Sequence, residues 1–264
     1  MSNQTTLLID GHIHIYSHYD LDFAINQGIL NLQNSAKKIN RTDKVIPVWL
    51  LTERYDCNFF DSYAGLKLKN FKIVPGAEKE TLIVEKNGEP MLYIFAGRQL
   101  VTTENLEVLS LMTTLFLKDR EKPITDVIDH VIDSGGVPAI NWAPGKWFFS
   151  RGKVVEQTIK SYSPENLLLG DTSLRTGIWP LPKLMTRAKK DGFKIIAGSD
   201  PLPFENEEKQ IGLYGFSITG KFDEAKPAES LRKLVLDKQT KINLIGRRNN
   251  LFTFGRRQFK IMRD

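Results

Sequence analysis

Two histidines, His12 and His14, are the residues whose type and spacing most clearly point to chemistry. They follow a short apolar run and a glycine, in the stretch Asp10-Gly11-His12-Ile13-His14. On a β-strand, side chains at positions i and i+2 lie on the same face, roughly 6–7 Å apart. Two imidazoles placed in this way can bind one metal ion, or two ions that share a bridging carboxylate. A single buried histidine is more often structural, but a pair at this spacing predicts metal ligands.

Polar residues also end five further apolar runs of strand length. Among the residues that end them are Glu53, Glu78, Asn141, Asp171 and Asp200. In (β/α) barrels the carboxyl ends of parallel strands meet at one face, and chemistry is carried there. The shared pattern therefore predicts a site built from these ends. The alternative is that some of these residues, Glu53 and Asp171 in particular, are helix caps or turn residues.

The elements that must position these residues alternate between apolar runs and helical stretches. The six runs are Leu7–Ile9, Val45–Leu51, Phe71–Val74, Val137–Ile140, Leu167–Leu169 and Phe193–Ala197. Continuous apolar runs separated by helices are typical of parallel strands buried on both faces. Helices are predicted before Gly135-Gly136 and over 184–190, and Asn87-Gly88 predicts a β-hairpin between 81–85 and 91–95.

Four motifs resemble the PHP (polymerase and histidinol phosphatase) superfamily in their order and spacing. They are DGHIH at 10–14, PGAE at 75–78 with its following hairpin, GGVPAINWAPG at 135–145 and GSD at 198–200. The resemblance covers roughly residues 6 to 218 and implies an α/β fold, a distorted (β/α)7 TIM-like barrel. It also implies bound Zn, Mn or Fe and hydrolysis of phosphate esters at the carboxyl-terminal mouth of that barrel. We expect one domain over residues 1–264.

The resemblance also implies a set of metal ligands. His12 and His14 resemble the ligands of the first strand, Glu78 the bridging carboxylate, and Asp200 the ligand of the last strand. Asp20, eight residues after His12, lies where some members have a further ligand, and His18 is the alternative to it.

The chain departs from the family pattern at three places where the family has histidine. Its TDH reads Thr52-Glu53-Arg54, its AHP reads 141–144 NWAP, and its SDxH reads 199–202 SDPL. The chain has four histidines, of which three lie within residues 12–18. An imidazole-rich site for three metals therefore cannot be built, and we expect one or two divalent ions (Zn, Mn or Fe) held largely by carboxylates.

The remaining polar residues allow a hydrolytic reaction on an anion. A divalent ion lowers the pKa of bound water to about 7 and polarises a phosphoryl oxygen. Asp171 or Glu53 could orient that water as a general base. Residues predicted to bind the substrate are Arg54, Lys146, Arg175 and Asn141. Guanidinium groups suit phosphate, although an ordinary surface salt bridge is the alternative for each cation.

The C-terminal segment, residues 247–264, carries most of the net charge of +6. It has six Lys or Arg residues and one Asp, a balance of six minus one, or +5. Phe252, Phe254 and Phe259 lie between these cations, a mixture that also occurs in nucleic-acid-binding surfaces. We favour the interpretation of a final strand and helix packed on the domain, with Phe inside and Arg outside. The expected partner is a small anionic, phosphorylated substrate, and nucleic acid is the less favoured one.

Composition excludes several other classes of protein. The chain is 41% hydrophobic and 26% charged, which is typical of a globular domain. Its one cysteine, Cys57, rules out an intramolecular disulfide framework and a cysteine-rich zinc site. No apolar run approaches the ~18 residues of a membrane span, and the first ten residues do not resemble a signal peptide. We expect a cytoplasmic protein that does not contact membrane, and the sequence does not predict its oligomeric state.

Two alternatives to a metal-dependent phosphoesterase stay open. An amidohydrolase-like enzyme acting on a C–N or ester bond also has His-x-His on its first strand and Asp on its last. It normally needs a lysine and two further histidines on middle strands, which this sequence does not offer. A catalytically degenerate barrel that acts as a binding protein would explain the missing histidines, because packing rather than chemistry holds a fold.

Overall fold

The structure is a computed structural model that describes residues 4–36 and 44–263. Over these residues the chain forms twelve β-strands, seven α-helices and two short 3-10 helices. The strands are β1 (Thr5–Ile13), β2 (Lys44–Leu51), β3 (Lys72–Pro75), β4 (Thr81–Lys86), β5 (Glu89–Phe95), β6 (Gly97–Val101), β7 (Glu107–Leu111), β8 (Val137–Asn141), β9 (Leu168–Thr172), β10 (Ile195–Gly198), β11 (Tyr214–Gly220) and β12 (Asn243–Gly246). The helices are α1 (Leu21–Ser35), α2 (Phe59–Ser62), α3 (Ile124–Asp133), α4 (Phe149–Ser161), α5 (Lys183–Lys190), α6 (Pro227–Leu236) and α7 (Leu251–Arg263). The 3-10 helices are Tyr63–Gly65 and Glu207–Gln210.

The strands form two mixed sheets. The first has seven strands in the order β12-β11-β1-β2-β5-β4-β3, and the second has five in the order β10-β9-β8-β7-β6. In the first sheet β1, β2 and β5 run parallel to their neighbours in that set, whereas β11, β12, β3 and β4 pair antiparallel. In the second sheet β8, β9 and β10 are parallel, whereas β6 and β7 are antiparallel.

The predicted distorted (β/α)7 TIM-like barrel is wrong. The fold is α/β, but its strands form two sheets, and neither sheet is closed into a barrel. The physical reason lies in residues 72–111, which fold as antiparallel hairpins rather than as strands separated by helices. Strand β3 was expected to be parallel and pairs antiparallel with β4. Strands β6 and β7 were not predicted, because their short sequences GRQLV and EVLSL are only partly apolar.

Other local predictions are confirmed. The hairpin of β4 and β5 turns at Asn87 and Gly88, whose φ angles of 54° and 84° are those that an Asn-Gly turn supplies. Helices α3 and α5 lie where the apolar spacing places them, and α3 buries Ile124, Val127 and Val131.

The two sheets meet at two places with few main-chain hydrogen bonds. At one, Glu53 follows β2 and forms an isolated parallel bridge with Arg98 of β6. At the other, the amide of Asp200, after β10, donates to the carbonyl of His12 in β1 at 2.9 Å. Side chains from both sheets share one core cluster, which includes Ile9 and Leu109.

Tight approach of β1 to β10 depends on Gly198 and Asp10. A Cβ at Gly198 would lie 2.3 Å from Cβ of His12, so no larger residue fits there. The buried carboxylate of Asp10 accepts from the amides of Ser199 at 2.9 Å and Gly212 at 2.8 Å. Asp10 therefore connects β1 to the segments after β10 and before β11.

Within the residues described, no helix combines the length and the apolar character that crossing a membrane requires.

Candidate metal centre

His12, His14 and Asp200 converge at the edge where the two sheets meet. The Nε2 atoms of His12 and His14 lie 3.0 Å apart, and Oδ1 of Asp200 lies 3.5 Å from the first and 3.4 Å from the second. All three residues are buried. The pairing of β1 with β2 shifts register between Asp10 and Ile13, and such irregularities re-aim side chains near functional sites. Asp200 itself has a φ of 50°, in the left-handed region that few residues adopt.

The electrostatics of the cluster suit a cation. Burial lowers the pKa of His12 from 6.5 to about 4, even though the charge of Asp200 opposes this, so the ring is neutral at pH 7. Burial raises the pKa of Asp200, but the neighbouring His12, His14 and Arg257 outweigh it and hold that pKa below its ordinary value. Asp200 is therefore ionised at neutral pH.

The free ring nitrogens provide a test of whether a metal ion fits this site. Nδ1 of His12 and Nδ1 of His14 are buried, and neither has a hydrogen-bond partner among the described residues. Two imidazole nitrogens and a carboxylate oxygen, all within 4.8 Å of one another, form a donor set that divalent Zn, Mn and Fe accept. The residues present therefore fit a divalent metal ion.

Arg257, which the sequence shows only as one cation of the C-terminal segment, holds the main chain of Asp200 in place. It extends from α7 into the interior and is 1% exposed. Its Nη2 donates to the carbonyl of Asp200 at 2.7 Å and lies 2.8 Å from Oε2 of Glu207, while Nη1 donates to Oγ of Ser173 at 3.1 Å. The sequence showed the charge of Arg257 but not that it would be buried.

Asn141 and Gln99 approach the cluster from the second sheet. Both side chains lie near His12 and oppose part of the lowering of its pKa. Nδ2 of Asn141 donates to Oε2 of Glu107 at 3.0 Å, and its Oδ1 is buried without a hydrogen-bond partner in the described part of the chain. Asn141 thus lies beside the candidate metal centre, where it was predicted to bind substrate.

The two other carboxylates that the family resemblance implied as ligands lie outside this cluster. Glu78 accepts from the amides of Ala228 at 2.5 Å and Glu229 at 3.3 Å, at the N-terminus of α6. Asp20 is the N-cap of α1 and accepts from the amide of Phe23 at 3.1 Å. His18, the alternative to Asp20, is exposed. Among the described residues, the group whose ligand atoms converge is His12, His14 and Asp200.

The two residues predicted as general bases are both engaged by protein groups. Asp171 accepts from Nε and Nη2 of Arg175 at 2.8 and 2.6 Å, and from the hydroxyl of Tyr214 at 2.7 Å. Glu53 accepts from the amides of Phe59 and Phe60 at the start of α2. Burial raises the pKa of Glu53, although these amides oppose the shift.

The cations predicted to bind substrate are at different places. Lys146 has partners outside the cluster, because its Nζ donates to Oδ1 of Asn105 at 3.1 Å and is 3.6 Å from Oε1 of Glu107. Arg175 is buried and donates to Asp171 and to the carbonyl of Trp179. Arg54 is partly exposed, 3.3 Å from the exposed Asp56, and it also interacts with the hydroxyl of Tyr16. The ring of Tyr16 lies 5.9 Å from that of His14. Arg54 is therefore the predicted cation that the contacts connect to the cluster.

Three tryptophans that follow strand ends line one cavity of about 420 Å³. Trp142 and Trp179 meet edge to face, with ring centroids 6.2 Å apart. Nε1 of Trp147 donates to the carbonyl of Asn141 at 2.9 Å. This aromatic cavity therefore adjoins the strand that carries Asn141.

Comparisons with known proteins support the fold. No protein-family model and no curated protein sequence matches the chain. The crystal structure of PsfC from Pseudomonas syringae PB-5123 is similar over 91% of each chain, with a TM-score of 0.50 and 12% identity. A two-domain protein from Bacteroides vulgatus ATCC 8482, containing a predicted PHP-like metal-dependent phosphoesterase, has 12% identity and a TM-score of 0.44 over 91% of this chain and 65% of that one. The likeness to PsfC shows a shared fold, and identity this low does not extend it to an activity.

Proposed function

We propose that this protein is a metal-dependent hydrolase of a phosphate ester, and that His12, His14 and Asp200 hold its metal ion. The observation that carries the proposal is the convergence of three buried ligand atoms, two of them on rings whose other nitrogen has no hydrogen-bond partner in the described structure. The order of the motifs at 10–14, 75–78, 135–145 and 198–200 supports membership of the PHP superfamily.

Different residues of the chain would bind the metal ion and position its ligands. A divalent ion at such a site supplies Lewis acidity and an activated water. His12 is neutral at pH 7, so one of its ring nitrogens is unprotonated and available to the metal ion. Arg257 fixes the main chain of Asp200, and Asn141 presents an amide beside His12.

Arg54 is the residue that we propose to meet the anionic part of a small phosphorylated substrate. Its partner Asp56 is 42% exposed, so the ion pair between them is screened by water and exchanges easily. A guanidinium can then pair with phosphate through two parallel hydrogen bonds. Lys146 and Arg175 are held by other protein groups and are less available.

A second candidate function is a metal-binding protein that no longer catalyses hydrolysis. The observation that favours it is the environment of Asp171, whose two oxygens are occupied by Arg175 and Tyr214. A carboxylate neutralised in this way is a poor general base. Glu53, the other candidate, is likewise occupied by main-chain amides.

Elemental analysis of protein purified without chelator or histidine tag tests the proposal. We expect at least one Zn, Mn or Fe per chain in the wild type, and loss of that metal in His12→Ala/His14→Ala. His130→Ala is the matched control, because His130 is exposed and its Nδ1 contacts only the carbonyl of Asp126 in its own helix. Hydrolysis of an aryl phosphate should follow the metal content.

The possible results separate the candidates. Metal without any hydrolysis of phosphate esters would favour the binding protein. Metal with hydrolysis of amides or carboxylic esters alone would favour an amidohydrolase-like enzyme. Absence of metal, even after incubation with Mn and Zn, would overturn the proposal.

A further inference from the structure

The orientation of α7 agrees only in part with the interpretation favoured on sequence. That interpretation placed its phenylalanines inside and its arginines outside. Phe252 is 82% exposed and Phe259 is 56% exposed, whereas Arg257 is buried. With Arg257 buried against Glu207, Phe252 and Phe259 point to solvent, whereas Phe254 is half-buried, 5.4 Å from the ring of Trp179.

The outward face of α7 alternates rings and cations. Phe252, Arg256, Phe259 and Arg263 are spaced by four, three and four residues, which places them on one face of a helix. They extend over about 16 Å, at 1.5 Å per residue. A cleft of about 420 Å³ runs beside this face and is lined by Phe204, Arg256, Phe259, Lys260 and Arg263.

The three cations of this cleft have no ion-pair partner among residues 4–36 and 44–263. Nζ of Lys260 lies 5.1 Å from the ring centroid of Phe204, and the guanidinium of Arg263 lies 5.4 Å from that of Phe259. The nearby Glu207 is neutralised by Arg257. The cleft thus presents positive charge and aromatic surface to solvent together.

We propose that the α7 cleft, formed by Phe204, Arg256, Phe259, Lys260 and Arg263, binds single-stranded nucleic acid. Proteins that bind single strands without sequence preference combine cations along the phosphates with aromatic rings on which bases stack. Both groups are present here, interleaved at the spacing of one helical face. None of the five cleft residues is a candidate metal ligand, so the proposal does not rest on the proposed hydrolase activity.

The same arrangement argues against a membrane surface as the partner. A helix that lies in a membrane interface segregates its apolar residues on one face and its cations on the other. On α7, Phe252 and Phe259 share one face with Arg256 and Arg263. Away from that face, Arg257 is bonded to Ser173 and Glu207, and Phe254 packs on Trp179. The helix therefore cannot turn an apolar face towards lipid without breaking a buried ion pair.

Fluorescence anisotropy with a labelled single-stranded oligonucleotide, such as a 15-residue oligothymidine, tests the proposal on the full chain with EDTA present. We expect the logarithm of the binding constant to fall with the logarithm of salt concentration with a slope of about −2, from three phosphate contacts at about 0.7 each. Arg256→Gln/Arg263→Gln should weaken binding at least about ten-fold and reduce the slope by about 1.4. Lys67→Gln/Lys69→Gln is the matched control, since it removes two exposed lysine charges elsewhere and should change little.

Removal of one ring tests stacking separately from charge. Phe259→Ala should weaken binding about ten-fold without changing the salt slope, whereas Phe149→Ala, which removes a ring that is 93% exposed on another helix, should not. Equal loss of affinity in Arg256→Gln/Arg263→Gln and in Lys67→Gln/Lys69→Gln would overturn the proposal. So would an unchanged affinity of Phe259→Ala, or binding to anionic phospholipid vesicles but not to the oligonucleotide.

Discussion

Asp171 and Asp200 are both buried, and both lie at the carboxyl ends of neighbouring strands, yet their surroundings differ. Asp171 has a bidentate guanidinium at 2.8 and 2.6 Å and a phenol at 2.7 Å, so both of its oxygens are occupied. Asp200 instead faces two imidazoles at 3.4–3.5 Å.

The difference separates a structural ion pair from a ligand set. A buried carboxylate with a bidentate arginine is already neutralised and can do little further chemistry. A carboxylate that faces two imidazoles, with further ring nitrogens left unpaired, keeps the capacity to bind a cation. The position of a carboxylate at a strand end does not show whether it is structural or a metal ligand, whereas the groups that contact it do.

Among the tests of this comparison, Arg175→Leu has the largest expected effect. It would leave Asp171 buried without its cation, and we expect the free energy of unfolding to fall by about 3–5 kcal/mol in urea titrations. Asp171→Asn/Arg175→Leu removes both charges and should lose clearly less. If Arg175→Leu costs less than about 1 kcal/mol, Asp171 does not depend on Arg175 to neutralise its charge.

A pH titration tests the electrostatics of the other cluster in metal-free protein. The pKa of His12 is about 4 in the folded chain and 6.5 as a free side chain, so the unfolded chain binds more protons between these values. This contribution to stability is complete above pH 6.5 and is lost as the pH falls towards 4. The unfolding free energy of the wild type relative to His12→Gln should therefore fall by about 3 kcal/mol across that window. A pH-independent difference would show that His12 is not held neutral by burial.

The smallest expected effect concerns Glu78. Its carboxylate accepts from two amides at the start of α6, so Glu78→Ala should lower the unfolding free energy by about 1 kcal/mol, as loss of a helix cap does. Glu78→Gln keeps an acceptor oxygen and should lose less. Metal content should stay at the wild-type level in both variants, and a loss of metal would return Glu78 to the ligand set.

Local features of this fold were predictable from the sequence. The Asn-Gly turn, helices α3 and α5, and the placement of His12 at the end of a buried first strand, with His14 directly after it, follow from residue type and spacing. These features depend on contacts within a few residues, which a single sequence records.

The arrangement of the strands was not predictable in the same way. Apolar runs show that a strand is buried but not which neighbour it pairs with or in which direction, and so β3 was assigned to a parallel set. Strands β6 and β7 carry too few apolar residues to be recognised. The orientation of α7, in which Arg257 is buried, depends on Glu207 and Ser173, which are distant in sequence from Arg257.

The hydrogen bond between Asp10 and Ser199 joins positions 189 residues apart, and it has a consequence for how the protein is made. When a ribosome has synthesised β1, most of the chain that must cover it does not yet exist. Contacts of such long sequence separation form slowly, because the intervening chain has to be closed into a loop first. The imidazoles of His12 and His14 thus have no third candidate ligand until Asp200 has been synthesised. A metal ion held by these three residues could therefore not nucleate the fold before Asp200 has joined β1.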